Sequence, residues 1–264
     1  MTNSSKYWQT RLSDNIYKEN VKLMEKRLLK VYKSASKSIE IQTIDLYSKM
    51  LTAGEISANM MYSENRYKVL QDKINQEIIK IGKAEEKEVA KTLLNTFKQV
   101  FTETNKGLGV ATEWTILNDN MAKEIVFANF KGAKFSDRIW SNKDALRSKL
   151  EKAVIETVVG GRSKDVAVKN IKERFGVGFS DADRIVRTET QRVLNEGQKE
   201  SYMTNGYTQY QYSAELDERT SEICEELDGK IFSFAEASVG VNFPPMHPNC
   251  RSTILPVLDE ELFK

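Results

Sequence analysis

The first 243 residues contain no proline; the four prolines are Pro244, Pro245, Pro248 and Pro256. Proline stops a helix because it lacks the amide proton and clashes with the turn before it. Glycine, the other common breaker, is also sparse, appearing first at Gly54 and next at Gly82. Such a chain is expected to run as long helices through its front half. Hydrophobic residues make up 40% of its 264 residues and charged ones 30%. That is enough apolar matter to fill a core and to exclude wholesale disorder.

The apolar spacing agrees. Val21, Met24, Leu28, Val31 and Ala35 step by three and four, which places them on one face of a helix. Lys22, Lys26, Arg27, Lys30 and Lys33 lie between them, either as a solvated face or as a phosphate-contacting one. Tyr67, Leu70, Ile74, Ile78 and Ile81 repeat the pattern in a second helix, expected to end at Gly82. A third helix is expected over residues 84–104, and LTAGEIS (51–57) reads as the turn between the first two. Residues 105–145 mix glycines with Trp114, Phe127, Phe130, Phe135 and Trp140 and read as a linker or docking segment. Within it Ser136 is placed to cap a helix, Asp137 suits its positive end, and Ile139 and Trp140 require burial.

Charge is divided along the chain. The net charge is +2, but residues 1–160 carry 27 basic and 20 acidic side chains, against 13 and 18 in residues 161–264. The whole chain is therefore not a basic nucleic-acid coat, and two modules with different partners are expected, at 1–150 and 151–264. No apolar run suits a membrane span and no secretory signal is visible, so a reducing, cytosolic origin is expected. The common nucleotide-loop and hydrolase-elbow motifs are missing. A single histidine, His247, excludes two-histidine metal chemistry, and two cysteines, Cys224 and Cys250, exclude a disulfide framework.

After Gly160-Gly161 a helix is expected over 165–175, stopped by Gly176, and another from 181 to about 196, capped by Ser180. On the latter, Arg184, Arg187, Thr188, Gln191 and Asn195 share an arc of about 100°, opposite Ala182, Ile185, Val186 and Val193. Glu189 falls inside the apolar arc, where a lone carboxylate would be costly. The expectation is a buried ion pair with an arginine outside its own helix, either Arg219 or Arg251. The helix pair with Arg184, Arg187 and Arg192 also admits a helix-turn-helix reader.

The last sixty residues change character. YTQYQYSA (207–214), KIFSF (230–234) and STILPV (252–257) read as short strands, with tight turns at Asp217 and at Asp228-Gly229. In NFPPMHPNCRS (242–252) three prolines within five residues fix the backbone that presents His247, Cys250 and Arg251. Three readings of this cluster stay open. It is a structural polar network, or a zinc site of Cys224, His247 and Cys250 completed by Asp217 or water, or a catalytic set of Asp217, Arg219, His247 and Arg251 acting on a phosphodiester.

The ordered succession GRSKDVAVKNIKERFGVG, DRIVRTETQRVLNEG, DERTSEICEELDGK and PPMHPNCRS, over residues 155–257, resembles the phage Mu protein F-like head-morphogenesis family. The front half, with YWQTR, LTAGEIS and FSDRIW, is similar to the helical part of minor head proteins from phages of Gram-positive bacteria. The resemblance carries over Arg187, Thr188 and Glu189; Asp217, Arg219 and Thr220; and Pro244, Pro245, His247, Pro248, Cys250 and Arg251. It implies that Cys224 and Cys250 are neighbours, while Ser221 and Ser252 stand where relatives carry two further cysteines.

The resulting expectation is a mainly α protein with a small α+β C-terminal module: long N-terminal helices, then a compact Mu F-like domain with a few short antiparallel strands. The loop at 244–251 should close that module against the Arg187-Thr188-Glu189 helix. The implied function is that of a non-enzymatic minor head protein in head morphogenesis, inside the virion and, during assembly, in the host cytoplasm. Its partners would be the portal protein, packaged double-stranded DNA and scaffold or major capsid protein, with no membrane and no cofactor unless zinc. The alternative is a nuclease-like nucleic-acid-processing enzyme using the Asp217, Arg219, His247 and Arg251 cluster.

Overall fold

The structure, a computed structural model, describes residues 3–111 and 114–257. It is mostly helical: α1 (Asn3–Thr52), α2 (Ala58–Tyr62), α3 (Arg66–Gly107), α4 (Ile116–Val126), α5 (Phe135–Val159), α6 (Lys164–Thr204) and the short α7 (Glu222–Leu227). Three strands follow α6: β1 (Gln209–Ser213), β2 (Ile231–Ser233) and β3 (Thr253–Val257). This is the expected fold class, long helices ahead of a small sheet. The described residues form two compact units, one within 1–24, 89–135 and 184–264, the other of residues 25–88 and 136–183. The position 150–151 lies inside α5.

The unit built from 25–88 and 136–183 is entirely helical. Tyr32, Ile39 and Tyr47 of α1, Leu70 and Ile74 of α3, Leu150 of α5 and Ile171 of α6 meet in one apolar core. Both apolar stripes read from the sequence face inward, with only Val31 partly exposed. The turn at LTAGEIS is present: α1 stops at Thr52, and Gly54 takes φ 121°, a left-handed-side conformation that favours glycine.

The expected helix ends inside α3 and α6 are absent. α3 runs through Gly82 without a break, so the second and third helices are one. The reason is packing: a Cβ at Gly82 would lie 2.6 Å from the Trp140 ring, so the missing side chain admits an indole. α6 likewise continues through Gly176, Gly178 and Ser180, whose hydroxyl bonds back to the Gly176 carbonyl rather than capping anything. A Cβ at Gly178 would collide with Leu146. With no turn between them, the helix-turn-helix expected around Gly176 does not form. Ser136 sits inside the first turn of α5, which begins one residue earlier, while Asp137 lies in that first turn as expected. Ile139 is buried, and Trp140 is half-buried with its indole N–H donated to Glu86 at 3.2 Å.

This unit also buries a charge pair. Lys143 and Glu85 meet at 2.7 Å with side chains 1% and 0% exposed, and the Tyr32 hydroxyl donates to the same carboxylate oxygen at 2.9 Å. Lys143 Nζ also bonds the Tyr32 hydroxyl. Burial pushes the Glu85 carboxyl up, against the pull of Lys143.

The other unit holds the sheet, in order β2–β1–β3 and antiparallel throughout. Alternation along β1 points Tyr210 and Tyr212 inward and Gln209 and Gln211 outward, as its sequence predicts. Tyr210 packs with Tyr202 of α6, Phe234, Phe243 and Ile254. Pro256 lies on β3, an edge strand, where a missing amide donor is tolerated.

Candidate functional site

From Thr188 to Ser201, α6 carries a run of polar side chains that are closed to water, among them Thr188, Glu189, Gln191, Arg192, Asn195, Gln198 and Ser201. Such groups need partners, and each use is specific. Thr188 Oγ1 accepts the Asn249 amide at 3.1 Å. Gln191 and Asn195 donate side-chain amides to the Ser252 carbonyl at 2.7 and 3.2 Å. The polar arc read from the sequence is therefore the face on which the proline-rich loop closes. Arg192 donates to the Ile125 and Val126 carbonyls at 2.9 and 3.1 Å, satisfying the open C-terminal end of α4.

Glu189 is buried and ion-paired, but with Arg192 one turn along its own helix, at 2.8 Å. The expected partners are engaged elsewhere. Arg251 holds Asp217 at 2.5 Å and Glu215 at 3.1 Å, and Arg219 reaches Asp217 at 3.3 Å. An arginine three residues on, on the same helical face, is already at hand, and the Asp217 turn captures the other two. Arg184 is exposed and Arg187 half-buried, and both are engaged.

Asp217 bonds forward as expected: its carboxylate accepts the Arg219 amide at 2.8 Å, and the Thr220 hydroxyl accepts the Asp217 amide at 2.7 Å. The Arg251 guanidinium holds the Asp217 carboxyl well below the usual carboxylate range. Asp228 accepts the Ala214 amide at 2.8 Å, and Gly229 (φ 76°) turns the chain into β2. Pro244 and Pro245 are buried and Pro248 exposed.

The structure gathers Cys224 from α7 with His247 and Cys250 from the loop. Cys224 Sγ lies 3.4 Å from His247 Nε2 and 3.8 Å from Cys250 Sγ. Both thiols are buried and free. Ser221 Oγ approaches Nε2 at 2.9 Å, Nδ1 bonds the Pro248 carbonyl at 2.9 Å, and the Tyr212 hydroxyl donates to Cys224 at 3.4 Å. The Cys224 thiol falls to about 7: hydrogen bonds, first those of Ser221, Ser252, Tyr212 and His247, outweigh burial. Burial pushes the Cys250 thiol up. A small cleft beside them is lined by Arg219, Ser221, His247, Asn249 and Arg251.

Asp217 is not among the residues lining that cleft, so three of the four residues of the catalytic reading share it. Sequence reasoning missed Tyr212 and Lys131, whose ammonium bonds the Met246 carbonyl at 2.7 Å, and assigned Arg192 to a helix-turn-helix reader rather than to Glu189. The available signal was Arg192 one turn from Glu189; nothing near Lys131 in sequence points to a loop 115 residues away.

On α1, Lys22, Lys26, Lys30 and Lys33 are exposed, and at 100° per residue they share an arc of roughly 80°. Arg27 lies off that stripe and is spent on Glu88 at 2.8 Å.

The segment that carries this arrangement is similar to a known family. Residues 148–255 match the family described as Phage Mu protein F like protein, so the resemblance drawn from the motifs holds over that segment. Three curated relatives extend the likeness. An uncharacterized protein of Haemophilus influenzae is 32% identical over 112 residues, 42% of this chain and 25% of that protein. The NAD(+)--arginine ADP-ribosyltransferase EFV of Enterococcus faecalis is 24% identical over 93% of this chain and 50% of its own length. Minor head protein GP7 of Bacillus phage SPP1 is 24% identical over 90% of this chain and 83% of its own length. The chain thus spans a quarter and a half of the first two. No solved structure matches significantly. Among the described residues, no helix is long and apolar enough to cross a membrane.

Proposed function

We propose that this chain is a minor head protein that acts in assembly of a tailed-phage head, docking on the portal and touching packaged duplex DNA through α1. The carrying observation is the near full-length likeness to the SPP1 protein named Minor head protein GP7. Function divides along the chain: residues 1–150 carry the lysine stripe, and residues 151–264 carry the clasped helix and the Cys-His cluster. Scaffold or major capsid protein are further partners, and the virion interior is the destination after assembly in the host cytoplasm.

The DNA-contacting set is Lys22, Lys26, Lys30 and Lys33; Arg27, paired with Glu88, adds little. Phosphate contact needs only positive charge, and its mark is release by salt. The C-terminal cluster is structural and the chain is not an enzyme. Two features support this: arginines occupy the Asp217 carboxylate, and His247 has both ring nitrogens engaged.

The test uses the full chain. It should co-purify with the portal protein of the same phage and should retard duplex DNA in a gel without cutting it, with or without divalent metal. Cleavage abolished by His247→Ala would overturn the non-enzymatic reading, and failure to retain portal would overturn the docking.

A further inference from the structure

We propose that Cys224, His247 and Cys250 hold one zinc ion through Sγ, Nε2 and Sγ, with a fourth oxygen ligand from Ser221 or from a water in the adjoining cleft. A tetrahedral zinc with bonds of about 2.3 Å to sulfur and about 2.0–2.1 Å to nitrogen spaces its ligands about 3.8 Å (S to S) and about 3.5 Å (S to N). The observed separations are 3.8 Å between the thiols and 3.4 Å from Cys224 to Nε2, and all three donor atoms lie within 4.8 Å of one another. The first two separations match edges of a coordination tetrahedron, and the third donor pair is close enough to reach one with a small side-chain shift; a disulfide would need the sulfurs at about 2.0 Å.

The histidine supplies a separate indication. His247 Nδ1 lies 2.9 Å from the Pro248 carbonyl, which can only accept, so Nδ1 carries the proton. That fixes the tautomer and leaves the Nε2 lone pair facing Ser221 Oγ at 2.9 Å and Cys224 Sγ at 3.4 Å, the two groups that would share the ion with it. Metal-bound histidines are held in this way by the carbonyl behind them. Three of the surrounding features favour a cation. The proline-rich backbone presents His247 and Cys250 in a set geometry. The two thiols, once deprotonated, would match the 2+ charge, their protons passing to solvent. The neighbouring arginines are already neutralised, Arg251 by Asp217 and Glu215, and Arg219 by Asp217. The Asp217 carboxylate is thereby committed, which removes it as the fourth ligand.

The full chain, reduced and stripped with EDTA, is titrated with cobalt(II). One cobalt per chain should bind, with the intense visible bands of tetrahedral coordination and a sulfur-to-cobalt charge-transfer band, both bleached by zinc. Cys224→Ser and Cys250→Ser should each weaken binding by more than the about 10–100-fold that outer-shell changes cost. Asp217→Asn should leave the spectrum unchanged. Absence of these bands in the wild-type chain, with both thiols free by titration, would overturn the proposal whether or not the variants fold. So would the loss of both thiols to an internal disulfide without metal uptake.

Discussion

Lys143 and Glu85 are taken from water together, and Tyr32 supplies the hydrogen bond that helps make this tolerable. Removing one partner strands the other charge, so Lys143→Met should cost about 3–5 kcal/mol in denaturant unfolding. Replacing both Lys143 and Glu85 with apolar residues of similar volume should recover most of that loss. Asp217 gives a pH signature. Its folded carboxyl ionises below the unfolded value of about 3.9, so its stabilisation is full above that pH and drains away as pH falls further. The stability difference between wild type and Asp217→Asn should be flat from about pH 5 to 8 and narrow below about pH 4. Residue-level reasoning read Asp217 correctly because an Asx turn is local. It placed Glu189 correctly in the interior but chose its partner wrongly, because it looked to arginines outside the helix and passed over Arg192, one turn along the same helix.

At the scale of elements, glycines were the main source of error. Gly82 and Gly178 read as stops or loop residues, yet each is a gap in a continuous helix that a distant side chain fills. No window around Gly82 contains Trp140, so that purpose is invisible locally. The strands were legible because period-two alternation and the Asp228-Gly229 turn are encoded within a few residues. A paired substitution separates the two kinds of glycine. Gly176→Ala, with open space around the new methyl, should stabilise by about 0.5–1 kcal/mol through helix propensity. Gly82→Ala should destabilise despite the same propensity gain, because the methyl would meet the Trp140 ring. Thermal melts of the two variants should move in opposite directions.

For the whole molecule, a net charge of +2 understates how charge is arranged. The front of the chain is basic, and four exposed lysines of α1 share one arc. If these bind phosphate, the logarithmic salt slope of DNA affinity should flatten by up to about 0.9 for each lysine changed to glutamine among Lys22, Lys26, Lys30 and Lys33. Arg27→Gln should change the slope little. The loop at 244–252 has a different bearing on how the chain tolerates change. Two hydrogen-bonded positions, the Asn249 amide and the Ser252 carbonyl, are held by Thr188, Gln191 and Asn195. Their spacing along the loop is matched to one face of a rigid helix. Surface loops ordinarily accept insertions. This one should reject any change in length, since one added residue would put the clasps out of register, and at Asn249, whose φ is 60°, it should accept little besides glycine or aspartate.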